Sequence, residues 1–245
     1  MPTLPTKANT ALLAFVLSIT FFGSCKKTES LKEKTIAQKT TSTALAEVTD
    51  GKWIDSWAAS FLNTKINGAV QSAPSFNNQT LRLNVFSKLG GTKVRVKLSN
   101  KFATNTLTVG AVHVALRSTN NSIVTSSDRT LKFGGKAGVT LAPGAEIWSD
   151  SAILTIGQHV TVAISVYIQG SFKPTTFHPT GLHTSYISRT GNYTASTTLP
   201  LASFTNTTTE VVIVSGLQVW APTTSKVAIA FGNSITDGAA ATNNA

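Results

Sequence analysis

Residues 50–222 predict an antiparallel β domain of two packed sheets, a sandwich or jelly roll, and three observations carry that expectation. Short apolar runs alternate with polar residues at period two, the pattern of strands with one covered and one solvated face. Turn residues interrupt these runs at short intervals. The chain is rich in Thr, Ser, Asn, Gly and Val, and it lacks the long Glu, Lys, Leu and Ala stretches that build helices. Its 245 residues are 41% hydrophobic and only 13% charged, a balance that permits a substantial core and excludes a disordered polyelectrolyte. Coiled-coil, collagen and multispan membrane architectures are excluded as well.

Residues 1–24 read as an export signal. Lys7 and the amino terminus supply positive charge, an apolar run follows (ALLAFVLSITFFGS, 11–24), and small Gly23 and Ser24 close it. The run is shorter than the roughly 20 apolar residues of a spanning helix. Cys25 is the only cysteine, so one chain holds neither an intrachain disulfide nor a cysteine cluster. Placed directly after Gly23-Ser24, it resembles the cysteine of a bacterial lipobox, although Phe22 stands where Leu, Val or Ile is usual. That resemblance implies a chain lipidated at Cys25 and anchored in a bacterial envelope, at the outer membrane, periplasmic or surface-facing. A secretory signal with an incidental cysteine is the alternative. Residues 25–49 are polar and lysine-rich, with too little apolar surface to fold alone, and read as a flexible tether.

The body follows. Strands are expected at 81–86, 94–98, 106–116, 138–141, 152–156, 159–168 and 210–219, with turns at Gly90-Gly91, Asn120-Asn121, Gly134-Gly135, Pro143-Gly144 and Gly191-Asn192. No internal repeat and no helix longer than a turn or two is expected. Residues 50–222 hold 14 basic and 6 acidic side chains. Arg82, Arg95 and Lys97 fall on the polar faces of their strands, which predicts a solvated basic surface. Aromatics interleaved with this charge, which a nucleic-acid surface needs, are missing, so no nucleic-acid partner is expected.

Trp53, Trp57 and Trp148 are expected to fill the core or a domain interface, with stacking on sugar rings as the alternative, and Trp220 closes an apolar strand as an expected core residue. His178 and His183 lie in HPTGLHTSY. Their spacing of five, with Pro179-Thr180-Gly181 between them and no nearby carboxylate or cysteine, is not zinc geometry. A structured loop in which both histidines bond to backbone is expected instead. His113 and His159 are assigned to strands, and neither metal nor cofactor is expected.

After Pro222 the pattern changes. Residues 226–231 (KVAIAF) form a continuous apolar run, which reads as a strand buried on both faces, as in a parallel sheet. It leads into Gly232-Asn233-Ser234-Ile235-Thr236-Asp237-Gly238, a small-residue turn able to expose a serine hydroxyl at the end of a sheet. Thr236 takes the place of the second glycine of a G-x-S-x-G elbow, so this is not that motif.

AFGNSITDG resembles the first conserved block of the SGNH (GDSL-type) hydrolases, serine esterases with a flavodoxin-like α/β catalytic domain. Residues 57–60 (WAAS), 76–82 (FNNQTLR), 94–100 (VRVKLSN), 127–131 (SDRTL) and 178–186 (HPTGLHTSY) resemble the β-sandwich that precedes that domain in some secreted members. The resemblance implies four segments: a signal at 1–24, a tether at 25–49, a sandwich at 50–222 and the start of a truncated catalytic domain at 223–245. It implies Ser234 as nucleophile and backbone oxyanion donor, with Gly232, Asn233, Asp237 and Gly238 supporting its turn. The substrate would be a carboxylic ester, such as an acetyl ester on a polysaccharide. Asn233 departs from the family's aspartate at that position. The family's Asp-x-x-His is absent as well, since none of the four histidines follows Ser234. Without it the fragment is expected to be inactive. The alternative is a lipid-anchored glycan-binding or interaction module without catalysis.

Overall fold

The computed structural model describes residues 50–63, 65–66, 69–70, 73–203, 206–238 and 240–244. The expected signal, tether and lipidated Cys25 lie outside the described residues.

Among the described residues the fold is mainly β. Its strands are β1 (Gly51–Ala58), β2 (Leu62–Asn63), β3 (Lys65–Ile66), β4 (Ala69–Val70), β5 (Phe76–Ser87) and β6 (Gly91–Ser99). Next come β7 (Leu107–Leu116), β8 (Arg129–Leu131), β9 (Val139–Leu141), β10 (Glu146–Trp148), β11 (Ala152–Ile156) and β12 (Val160–Phe172). The last are β13 (Thr176–His178), β14 (Ser185–Thr190), β15 (Thr207–Thr208), β16 (Val211–Val212) and β17 (Val214–Pro222). A single 3-10 turn at Thr125–Ser127 is the one helical element described.

Two antiparallel sheets form the body, as the alternation predicts. A five-stranded sheet runs β1-β17-β6-β10, with β11 also on β6, and a seven-stranded sheet runs β15-β14-β5-β12-β7-β8, with β9 also on β7. Alternation points Val94, Val96, Leu98, Leu217 and Val219 of the first sheet inward, and Leu81, Leu83, Val85, Ile164 and Val166 of the second. All ten belong to one buried cluster, the sandwich core between the sheets. A small sheet, β16-β13-β2, completes one corner and carries His178.

Five expectations are corrected. Arg82 does not meet solvent: it is 0% exposed. The outer face of the seven-stranded sheet at Arg82 is covered by the segments carrying Asn121, Thr194, Ser196 and Thr197, whose carbonyls accept from its guanidinium. Trp220 is half-buried on the outer face of the five-stranded sheet, edge-on to Trp53 at 5.5 Å, because Val219 and Ala221 take the inward positions. His159 stands in the turn before β12 at φ +55, not in a strand. Residues 226–231 join no strand: residues 226–229 pass along a cleft beside β1 without pairing to it, and Ile229 is 87% and Phe231 100% exposed. The expected 210–219 strand is also divided, since Ile213 at φ +68 turns the chain from β16 into β17.

Candidate active site

His178 ends β13, whose pairing with β2 and β16 (Phe177 with Leu62 and with Val212) fixes where the following loop begins. Gly181 ties that loop down, its N–H donating to Thr209 O at 2.7 Å. A side chain there would meet Val211 Cγ2 at 2.5 Å and Thr209 O at 2.9 Å, so the close approach requires glycine. Further along, Thr184 O accepts from Asn84 Nδ2 at 2.9 Å, which fastens the loop to β5.

The Ser234 turn is built by its neighbours. Asn233 Oδ1 accepts from the Ile235 N–H at 3.0 Å, and Asn233 O accepts from the Asp237 N–H at 3.1 Å. The arrangement is that of a capped single helical turn, so Asn233 performs the local hydrogen bonding an aspartate would perform, without the charge. The turn closes through the Gly238 N–H on Ile235 O at 3.1 Å, with Gly238 at φ +92, where a side chain would be strained.

This turn rests on the histidine loop. His178 is 8% exposed. Its Nδ1 faces Ser60 O at 3.0 Å, and its Nε2 faces Thr180 O at 3.1 Å and Asp237 Oδ2 at 3.3 Å. Farther along, the Asn244 N–H donates to Leu182 O at 2.7 Å, while the Thr184 N–H donates to Asn244 Oδ1 at 2.9 Å. Between the two segments lies an open cleft of about 430 Å³, walled by Ser60, His178 and Pro179 on one side and by Phe231, Ser234 and Asp237 on the other.

Ser234 is exposed, and among the described residues neither its hydroxyl nor its N–H makes a hydrogen bond. The hydroxyl is therefore open to an incoming carbonyl and the N–H to a developing oxyanion. The contacts of the His178 ring nitrogens are Ser60 O, Thr180 O and Asp237 Oδ2, and among the described residues no hydrogen bond joins either nitrogen to Ser234 Oγ. His178 holds Asp237 instead.

The structure thus brings together Gly232, Asn233, Ser234, Asp237 and Gly238 with His178, which the sequence reading assigned only to a structured loop. That assignment holds for His178, with backbone partners on both nitrogens. His183 differs: its Nδ1 is buried without a partner and its ring stacks on Phe86 at 6.1 Å. Ser60 and Asn244 were missed. Nothing in their local sequence marks them, because they act through backbone and long-range contacts. Among the described residues no group of three or more His, Cys, Asp or Glu is placed to hold a metal ion, and no helix is long and apolar enough to cross a membrane. No family model matches the chain, and no curated protein matches it.

Proposed function

We propose that this chain is the amino-terminal part of an exported serine esterase of SGNH type, in which Ser234 attacks the acyl carbonyl of an ester. The observation that carries the reading is an unengaged Ser234 hydroxyl and N–H on a capped turn, in a cleft whose opposite wall is His178-Pro179 of the β domain. The residues of the block AFGNSITDG support the family assignment, and the apolar run 226–231 supports the start of an α/β sheet that further chain completes.

Ser234 Oγ adds to the carbonyl while a base supplied by further chain takes its proton. The Ser234 N–H and further donors stabilise the tetrahedral oxyanion. The alcohol departs with a proton, and water releases the acid from the acyl-enzyme. An acylated polysaccharide suits an enzyme tethered through a lipid on Cys25 and carrying a β domain beside its cleft. Hydrolysis of p-nitrophenyl acetate by the product of the whole open reading frame, set against its Ser234→Ala variant, tests the reading. A fall of roughly 10⁴-fold or more in kcat is expected for loss of the nucleophile. Equal turnover by the two proteins, or none by either, overturns it.

A further inference from the structure

The outward face of the five-stranded sheet carries a second constellation, remote in sequence from Ser234. Strand alternation buries Ile54, Val94, Val96 and Val219 and turns Arg95 and Lys97 of β6 outward, together with Trp53 of β1, Gln218 of β17 and Trp148 of β10. Register sets their neighbours. Gln218 lies opposite both Arg95 and Asp55, and Lys97 lies opposite both Trp148 and Gly216.

Arg95 is held on three sides. Its guanidinium carbon lies 4.6 Å from the Trp53 ring centroid and 4.9 Å from that of Trp148. Its Nε donates to Gln218 Oε1 at 2.7 Å, and Gln218 Nε2 in turn donates to Asp55 Oδ1 at 2.9 Å. Among the described residues Nη1 and Nη2 have no hydrogen-bond partner. A guanidinium flexible in solution is thus fixed by two indoles and one amide, with its two-pronged donor edge left open.

Trp148 sits close on the sheet because Gly216 lies beneath it: a Cβ at residue 216 would stand 3.2 Å from the indole Cη2. An open groove of about 380 Å³ runs past Trp148, Gly216 and Gln218, bordered by the Lys97–Glu146 ion pair at 3.2 Å and by exposed Lys101. Asp55 also reaches this groove.

We propose that this face binds an acidic polysaccharide built of uronic acids. Arg95 takes a uronate carboxylate through Nη1 and Nη2, the bidentate match of fork to carboxylate. Trp148 covers the apolar face of a neighbouring pyranose. Asp55 and Glu146 accept from sugar hydroxyls, whereas the same carboxylates repel the continuous phosphates of a nucleic acid. The inference stands independently of Ser234.

Calorimetric titration of the full chain at physiological salt tests it, with oligogalacturonate, polyglutamate of equal charge and single-stranded DNA as probes. Oligogalacturonate is expected to bind best. Trp148→Ala and Arg95→Lys should each weaken it about tenfold, the second because a lysine keeps the charge and loses the fork. Lys136→Gln, in the exposed hairpin after β8, should leave it unchanged. Circular dichroism establishes that each variant is folded, and Arg95→Lys alone carries the test if Trp148→Ala unfolds. No heat with oligogalacturonate, equal affinity for polyglutamate or DNA, or undiminished binding by Arg95→Lys would overturn the proposal.

Discussion

Arg82 Nε donates to Ser165 Oγ at 2.9 Å across the β5–β12 pair, where the two residues lie directly opposite one another. Around that bond Arg82 Nη1 reaches Asn121 O at 2.7 Å and Nη2 reaches Ser196 O at 2.7 Å, so one side chain gathers two covering segments onto the seven-stranded sheet. Burial lowers the Arg82 pKa to about 10, against the pull of Asp128, and the group stays charged at neutral pH. Among the described residues no carboxylate hydrogen-bonds this cation. Backbone carbonyl dipoles solvate it instead.

Replacing Arg82 by Met therefore leaves five acceptors without this partner, two of them, Ser165 Oγ and Thr194 O, in buried hydrogen bonds. With about 1–3 kcal/mol for each unsatisfied group, and incomplete additivity, the loss should be on the order of 3–5 kcal/mol. Urea denaturation monitored by tryptophan fluorescence measures it. A variant within about 1 kcal/mol of the parent would contradict the role assigned to Arg82.

His183 gives a pH dependence whose sign is fixed. Burial, with Arg117 and Lys88 adding like charge, lowers its pKa below the ordinary 6.5. Below pH about 6.5 the unfolded chain binds a proton at this residue that the native chain resists, so stability is complete above that value and declines as pH falls through the native pKa. Melting temperature measured from pH 8 to pH 5 should drop, and His183→Leu should flatten the drop. An unchanged slope in that variant would sink the assignment.

Gly181→Ala introduces a methyl group where Val211 Cγ2 and Thr209 O already stand. Overpacking of this kind costs about 1–3 kcal/mol, and here it displaces the loop on which the Ser234 turn rests. Limited proteolysis should cut the 226–244 segment sooner in the variant, alongside a lower melting temperature. Parental cleavage kinetics would show that the turn does not depend on this loop.

Much of the body was legible from period two. β6, β11 and β12 fall within a few residues of the expected runs because each carries its apolar residues at alternate positions, facing one core. Arg82 defeated the same logic. An arginine at a polar position reads as solvated, and only the folding of segments roughly 40 and 115 residues away covers it. Trp220 failed in the opposite direction, since apolar neighbours conceal which face an indole takes. At the candidate site, Ser234 and its turn were legible from local residue order. The His178–Asp237 contact joins residues 59 positions apart through a side-chain geometry that spacing does not encode. The run 226–231 shows the limit of composition: a buried strand needs pairing partners as well as apolar residues, and no described strand pairs with it.

The pairing of β1 with β17 sets how the domain bears load. Gly51 lies opposite Pro222, so the chain enters and leaves the sheet side by side at one end of an antiparallel pair. Tension applied between the two exits peels that pair open one rung after another, instead of straining all its hydrogen bonds together in shear. A domain tethered before Gly51 and pulled through whatever follows Pro222 would yield by unzipping, beginning at the Gly51–Pro222 rung and soon reaching the Trp53–Trp220 edge contact. Its first mechanical failure would then separate β1 from β17 while the seven-stranded sheet remained intact.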